Sequence, residues 1–294
     1  MTWTLLDGGM GRELQRSGAP FRQPEWSALA LIEAPDMVRA VHASYLAAGA
    51  EVITTNSYAL VPFHIGAERF TAEAERLADR AGRLAREAAQ GFPGARVAGS
   101  LPPLFGSYRP DLFDPAQAAA LIAPLVAGLA PHIDLWLGET LSASAEARVV
   151  AAALPDASKP LWLSFTLHDE PDGSDDTPRL RSGEPVQDAV RLAAELGAER
   201  VLFNCSQPEV MAPALRAGRS VAGAPPLGVY ANAFPPQPKD AAANEGLSPL
   251  REDLDPEGYL GWARRWLDCG ASAIGGCCGI GPEHIAALAA LKRG

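Results

Sequence analysis

Short apolar runs alternate with longer segments of helical spacing along the chain. Eight of the runs have the length and the branched or aromatic content of buried strands. We predict strands at 3–6, 51–55, 96–99, 134–138, 161–166, 200–203, 227–230 and 272–275. A strand followed by a helix, repeated in this way, is typical of βα units that form a parallel sheet.

The segments between these runs place apolar residues on one helical face. We predict helices at 35–48, 71–89, 114–130, 144–154, 185–196, 208–217, 256–268 and 282–292, and five of the eight begin with Pro, which suits a first helical turn. No apolar segments remain that could form a second core. The pattern therefore predicts an α/β fold consisting of one (β/α)8 TIM barrel over residues 1–294, with a doubly wound sheet as the alternative.

Two stretches, 168–184 and 235–254, are rich in Pro, Gly and Asp and lack apolar periodicity. Segments of this kind are typical of long loops that follow barrel strands. We therefore interpret both as extended loops rather than as domain boundaries.

The net charge of the chain indicates which kind of molecule it binds. With a formal net charge of −10, the chain lacks the clustered cations that nucleic-acid binding requires, so we expect small-molecule partners and no nucleic acid. The first residues form no leader-like pattern and no segment approaches a membrane span, which predicts a cytoplasmic protein without a membrane partner. Four cysteines, two of them adjacent, make a poor disulfide framework, which favours reduced thiols or metal ligands.

Polar side chains stand where the predicted strands end. They are Asp7, Asn56, Ser100, Glu139, Thr166, Asn204, Cys205, Tyr230, Asn232, Cys277 and Cys278. In TIM barrels the carboxyl ends of the strands carry the active site, so we expect these residues to surround one cavity. The alternative for each Asp, Asn or Ser alone is a turn or helix cap.

Three of the four cysteines belong to this set: Cys205 follows the sixth strand, and Cys277 and Cys278 follow the eighth. Three sulfur ligands with one open position describe a catalytic zinc site, because structural sites use all four positions. Sulfur donors favour Zn²⁺ over Mg²⁺ or Ca²⁺. The fourth cysteine, Cys269, lies at a helix end, where we expect ordinary packing.

Glycines flank the adjacent pair, with Gly275 and Gly276 before it and Gly279 after it. A regular strand points consecutive side chains to opposite faces, so a bend at these glycines is needed to aim both sulfurs at one ion. A disulfide between the neighbouring cysteines, or simple packing, remains the alternative at this point.

The same residues resemble the homocysteine S-methyltransferase family over essentially the whole chain. The resemblance is strongest at Asn204-Cys205 and Gly275-Gly276-Cys277-Cys278-Gly279. It extends to Asp7-Gly8-Gly9-Met10-Gly11, Trp26-Ser27-Ala28, Thr55-Asn56-Ser57-Tyr58, Gly138-Glu139-Thr140, Arg181-Ser182-Gly183-Glu184 and Pro282-Glu283-His284-Ile285.

The resemblance implies a zinc-dependent enzyme in which Cys205, Cys277 and Cys278 hold the metal and homocysteine is the methyl acceptor. It also implies that Asp7 and Glu139 belong to the active site, with Glu139 holding the ammonium group of homocysteine. A thiol is mostly protonated near neutral pH, and coordination to zinc keeps it deprotonated and nucleophilic.

The resemblance implies further residues of the site. The amides of Gly8 and Gly9 are expected to receive the carboxylate of homocysteine. Trp26 and Tyr58 are expected to lie against a cationic methyl donor, with core packing as the alternative for Trp26. The remaining predicted substrate contacts are Asn56, Asn204, Tyr230 and Asn232.

The donor is not fixed by these motifs. Thr140 stands where betaine-using members have an aromatic residue, which favours a sulfonium donor such as S-methylmethionine over betaine. Methylation of another small thiol or selenol is an alternative, and a non-catalytic zinc- or thiol-binding barrel is an alternative of another class. The chain ends soon after its eighth predicted helix, so we expect a monomer.

Overall fold

The computed structural model describes residues 3–155, 157–169, 177–236 and 249–294. Eight strands are present, each at a predicted position: β1 Thr4–Leu5, β2 Val52–Thr54, β3 Arg96–Leu101, β4 Leu135–Leu141, β5 Leu161–Phe165, β6 Arg200–Asn204, β7 Leu227–Tyr230 and β8 Ala273–Ile274. Neighbouring strands pair in parallel in the order β1-β8-β7-β6-β5-β4-β3-β2. The predicted α/β class is confirmed.

Backbone contacts between β1 and β2 decide whether this sheet is open or closed. Leu6 forms a parallel bridge with Val52. Asp7 N donates to the Val52 carbonyl at 3.0 Å, and Glu51 N donates to the Leu5 carbonyl at 2.8 Å. The two edges of the sheet therefore meet, so the predicted TIM barrel is confirmed and the doubly wound alternative is wrong.

Helices surround the barrel. In chain order they are α1 Met10–Arg16, α2 Ser27–Glu33, α3 Pro35–Ala48, α4 Pro62–Ile65, α5 Ala67–Ala89, α6 Pro115–Leu129, α7 Ser144–Ala153, α8 Val186–Glu195, α9 Pro208–Arg219, α10 Pro256–Asp268 and α11 Pro282–Arg293. The eight predicted helices are α3 and α5 to α11. The short helices α1, α2 and α4 were not predicted, and they lie in the segments that follow β1 and β2.

The barrel interior is filled at its amino-terminal end. The guanidinium groups of Arg96 and Arg200 lie 5.5 and 5.0 Å from the ring of Trp162, and Trp162 Nε1 donates to Glu199 Oε1 at 3.0 Å. Trp162 belongs to the inner apolar layer of the barrel, which includes Tyr230 near the other end. Among the described residues, these side chains therefore fill the amino-terminal end of the barrel.

Both predicted loops are described in part. Residues 170–176 and 237–248 lie outside the described residues. At the ends of the first loop, Leu167 bridges Leu180 in an antiparallel manner. The second loop includes a short 3-10 turn at Glu252–Leu254. Among the described residues, no helix combines the length and apolar character needed to cross a membrane.

Candidate active site

A cavity of about 140 Å³ opens at the carboxyl ends of the strands. Most of the predicted site residues line it: Asp7, Gly8, Gly9, Trp26, Asn56, Tyr58, Glu139, Cys205, Tyr230, Cys277 and Cys278. The chain brings them together from β4 and β7 and from the segments that follow β1, β2, β6 and β8. The volume suits a small molecule rather than a polymer.

Backbone strain is concentrated around the same cavity. Among the described residues, the non-glycine residues with positive φ are Trp26 at 52°, Tyr108 at 65°, Thr140 at 58° and Cys205 at 52°, and all of them line the cavity. Such conformations cost about 1–3 kcal/mol each and persist where the surroundings enforce them. Their clustering makes this cavity the candidate functional site of the barrel.

The three predicted cysteine ligands form one cluster. The Sγ atoms of Cys205, Cys277 and Cys278 all lie within 4.8 Å of one another. Cys205 and Cys277 are in disulfide contact, with 2.50 Å between the sulfurs and 5.6 Å between the Cα atoms. This pairing departs from the expectation of free thiols, and it joins Cys277 to Cys205 rather than to its neighbour Cys278.

The donor set fits a soft metal ion when the thiols are reduced, because metal coordination requires thiolates. Among the described residues, no His, Asp or Glu joins the three sulfurs as a fourth ligand. Burial raises the pKa of the Cys278 thiol to about 11, so its ionisation needs a cation beside it. Three protein ligands are the number that catalytic metal sites use, whereas structural sites use four.

The loop that carries Cys277 and Cys278 turns as predicted. Cys277 N donates to the Ala231 carbonyl at 2.9 Å, and Ile280 N donates to the Cys277 carbonyl at 3.1 Å. Gly279 adopts φ +86°, which favours glycine. The bend keeps both sulfurs on the side of the loop that faces the cavity.

Two carboxylates face the cavity, and of these Asp7 is buried and Glu139 is half-buried. Asp7 accepts bonds from Thr54 N at 2.7 Å and Thr54 Oγ1 at 3.2 Å. Glu139 accepts bonds from Ser100 Oγ at 2.6 Å and Tyr230 OH at 3.3 Å. Burial raises the pKa of Asp7 to about 8, with a further contribution from Glu139, and burial also raises the pKa of Glu139.

The charge balance of the cavity favours a cation. Among the described residues that line it, none is a lysine or arginine. A cationic ligand beside Asp7 and Glu139 would lower both pKa values and stabilise the ionised carboxylates. The cavity is therefore suited to a positively charged small molecule.

The glycine turn after β1 fits tightly against the cysteine loop. A Cβ atom at Gly8 would clash with the Ile280 carbonyl, and one at Gly9 would clash with the Cys277 carbonyl. Gly9 N already donates to the Ile280 carbonyl at 3.0 Å. The expectation that both amides receive a carboxylate is therefore corrected, since only the Gly8 amide is left for that role.

Aromatic side chains form the walls of the cavity, and two of them were not predicted. Tyr108 lines the cavity with its ring under the Arg181 guanidinium, 5.1 Å away, and Phe234 lines it beneath Arg12 at 5.4 Å. Tyr58 OH lies 2.6 Å from Ser107 Oγ. The cavity therefore has aromatic faces, although Thr140 stands where betaine-using members have an aromatic residue.

Two predicted substrate contacts do not line the cavity. The Asn204 amide accepts from Ser164 Oγ at 2.7 Å and donates to Thr140 Oγ1 at 2.8 Å. Asn232 Oδ1 accepts from Phe234 N at 3.2 Å, which is a turn contact. Both residues are fully buried, and their contact with a ligand stays a prediction.

A histidine in the lining was also missed. His64 lies in α4, is buried, and contributes to the cavity from the segment after β2. No local pattern in the sequence marks it, because α4 is a single turn without apolar periodicity. Cys269, by contrast, is half-buried at the end of α10 and takes no part in the cluster, as expected.

The closed barrel, the strained cavity and the three-thiol cluster together define a barrel with a cysteine cluster at its strand ends that could hold a metal ion. The family-level comparison is more specific. Residues 4–291 match the model of the homocysteine S-methyltransferase family, and the chain belongs to that family. The resemblance inferred from the motifs is confirmed.

Relatives with this fold cover nearly the whole chain. Homocysteine S-methyltransferase of Escherichia coli (strain K12) is 33% identical over 311 residues, which is 97% of this chain and 94% of the relative. Selenocysteine Se-methyltransferase of Brassica oleracea var. italica is 27% identical over 320 residues, 97% of this chain and 88% of the relative. The crystal structure of the metallated E. coli homocysteine methyltransferase MmuM matches with a TM-score of 0.80 at 31% identity, covering 99% of this chain and 96% of that one.

Proposed function

We propose that this protein transfers a methyl group from a cationic donor to the thiol of homocysteine, which gives methionine. The whole barrel then acts as one homocysteine-binding unit. The observation that carries the proposal is the placement of three thiols, two carboxylates and several aromatic faces around one cavity. Thiols suit a metal that activates sulfur, and the carboxylates and aromatic faces suit cationic groups.

Reduced Cys205, Cys277 and Cys278 would hold a zinc ion, since their sulfur atoms already lie together and sulfur favours zinc over harder cations. When bound, zinc would keep the substrate thiol deprotonated near neutral pH. The cysteines also bring negative charge to that side of the cavity. That charge keeps the acceptor sulfur electron-rich and attracts a cationic donor.

The chain's own groups would orient homocysteine. Glu139 is fixed by Ser100 and Tyr230, so its carboxylate can accept charge-assisted bonds from the ammonium group without reorganising. The Gly8 amide would receive the carboxylate of homocysteine. Together these contacts would hold the thiol at the cysteine cluster.

The donor would occupy the aromatic part of the cavity. In the transfer, the acceptor sulfur forms a bond to the methyl carbon while the bond between that carbon and the donor breaks, and its electron pair stays with the donor. A cationic donor therefore leaves as a neutral molecule. Asp7, Trp26 and Tyr58 would stabilise the cation before transfer.

A donor-panel assay tests this function. Reduced, zinc-loaded protein should convert homocysteine to methionine when S-methylmethionine or betaine is supplied as the methyl donor. Chromatography of the product measures the conversion. Formation of methionine with neither donor would contradict the proposal. Binding of zinc and homocysteine without turnover of any donor would instead support a non-catalytic barrel.

A second acceptor is favoured by one comparison, because a relative covering 97% of the chain is a selenocysteine Se-methyltransferase. Competition between homocysteine and selenocysteine for one limiting donor separates the two acceptors. A higher kcat/KM for the selenol would transfer the assignment to it.

A monomeric state remains a prediction, and analytical ultracentrifugation checks it.

A further inference from the structure

His64 is a buried histidine in the cavity wall that no role described so far uses. It belongs to the single turn Pro62–Ile65 after β2, and its ring stacks obliquely on Phe63 with 4.4 Å between the centroids. Only 2% of the residue is exposed. Trp26 and Ser27, which come from the segment after β1, line the same cavity.

The hydrogen bond of His64 fixes the position of its proton. Nδ1 lies 2.7 Å from the carbonyl oxygen of Pro24. A carbonyl oxygen only accepts, so Nδ1 carries the hydrogen in the neutral ring, and Nε2 carries a lone pair. Burial lowers the pKa of His64, which keeps the ring neutral near pH 7. Nε2 is therefore a hydrogen-bond acceptor.

That acceptor has no partner among the described residues, although the atom is buried. Buried polar atoms are nearly always paired, and a leucine or phenylalanine would fill the same space without an unpaired nitrogen. His64 lines the cavity, so a ligand that packs against its ring can supply the missing donor. The ligand group that matches it is an N–H or O–H donor.

The two substrates differ in which of their N–H groups are free to bond to His64 Nε2. In the proposed function the ammonium group of homocysteine is held by Glu139, at the end of β4, whereas the donor lies beside Trp26. His64 is on the Trp26 side, since its ring bonds the segment that leads into Trp26. The N–H groups that face it thus belong to the donor.

We propose that His64 Nε2 accepts a hydrogen bond from the protonated amino group of the methyl donor and thereby selects amino-acid sulfonium donors. The inference rests on the proposed function for the division of the cavity between acceptor and donor. Betaine has a nitrogen without any N–H, so it cannot use this contact. Specificity would then depend on His64 rather than on Thr140.

Paired donors and paired variants test the assignment. S-methylmethionine and dimethylsulfoniopropionate carry the same sulfonium methyl groups, but only the first has an amino group. His64→Leu removes the acceptor, and His64→Gln replaces it with an amide oxygen near the position of Nε2. His132→Leu, on the surface beside Asp79, is the control for loss of a histidine.

Calorimetric binding to the zinc-loaded protein should show that His64→Leu weakens S-methylmethionine by roughly 10- to 100-fold, the range for one hydrogen bond to a charged group. Binding of dimethylsulfoniopropionate should not change, and His64→Gln should recover part of the loss. Equal effects of His64→Leu on both donors, or no effect on either, would overturn the inference.

Turnover separates this inference from the proposed function. If the wild-type protein methylates homocysteine and His64→Leu shows no amino-dependent loss of binding, only the role of His64 is wrong. If the wild-type protein methylates nothing yet His64→Leu shows that selective loss, the proposed function fails and the contact of His64 with the amino group stands.

Discussion

Asn204 Nδ2 donates a hydrogen bond to Thr140 Oγ1 at 2.8 Å and so joins the end of β6 to the end of β4. Thr140 is a β-branched residue held at φ 58°, a conformation that it rarely adopts. The Asn204 amide therefore helps to enforce the strained backbone that follows Glu139. Asn204 is a positioning residue that acts on the cavity through Thr140.

A double-mutant cycle measures this relationship. Asn204→Ala and Thr140→Ala each remove one partner of the bond, so the double variant should lose less stability than the two single variants added together. We expect a coupling of about 1 kcal/mol in the free energy of unfolding by urea. Additivity of the two changes would show that the contact contributes nothing to stability.

Metal binding is predicted to depend on the three clustered cysteines. Cys277→Ala and Cys278→Ala should each abolish zinc retention and turnover, because a zinc site with one ligand missing binds far more weakly. Reduced wild-type protein should hold about one zinc ion per chain by metal analysis after dialysis.

Cys269→Ala is the matched control for the loss of a thiol, since Cys269 lies outside the cluster. It should keep both zinc and activity. Full activity in metal-free protein, or in either cluster variant, would contradict the metal assignment.

Glu139→Gln should keep zinc and lose homocysteine affinity. Gln preserves the volume of the side chain but replaces a charge-assisted bond to the ammonium group with a neutral one. We expect Kd for homocysteine to rise by roughly 10- to 100-fold in calorimetry. The control is Glu199→Gln, which alters the partner of Trp162 at the opposite end of the barrel. Unchanged homocysteine binding in Glu139→Gln would remove the proposed role.

The sequence predicted the site residues best where the barrel fold itself determines which residues meet. Parallel strands place their carboxyl ends at one edge, so Asp7, Glu139 and the cysteines were predicted to meet without knowledge of any contact. A side chain near that edge can still point into the wall. Asn204 and Asn232 do so, because the Asn204 amide bonds to neighbouring strand ends and the Asn232 oxygen accepts a bond within a turn.

Residues that reach the cavity from loops were missed for a different reason. The position of Tyr108 depends on a positive φ and on Arg181, which lies far away along the chain. The position of His64 depends on the Pro24 carbonyl. Such positions follow from tertiary contacts, and neither apolar periodicity nor a local motif records them.

Stability at low pH is predicted to depend on His42 in α3. Its side chain is fully buried, and neither ring nitrogen has a hydrogen-bond partner among the described residues. Burial lowers the pKa of His42 to about 3, whereas an unfolded histidine titrates near 6.5. Between these values the unfolded chain binds a proton that the folded chain does not.

The free energy of unfolding should therefore fall as pH decreases below about 6.5, by up to about 1.4 kcal/mol per pH unit from this group alone. His42→Leu removes both the unpaired nitrogens and the titration. It should stabilise the protein by about 1–3 kcal/mol at pH 7, with a larger advantage at pH 5. Urea unfolding at both pH values measures the difference, and His132→Leu at the surface is the control. An advantage of His42→Leu that stays constant from pH 7 to pH 5 would show that His42 is not held neutral in the folded barrel.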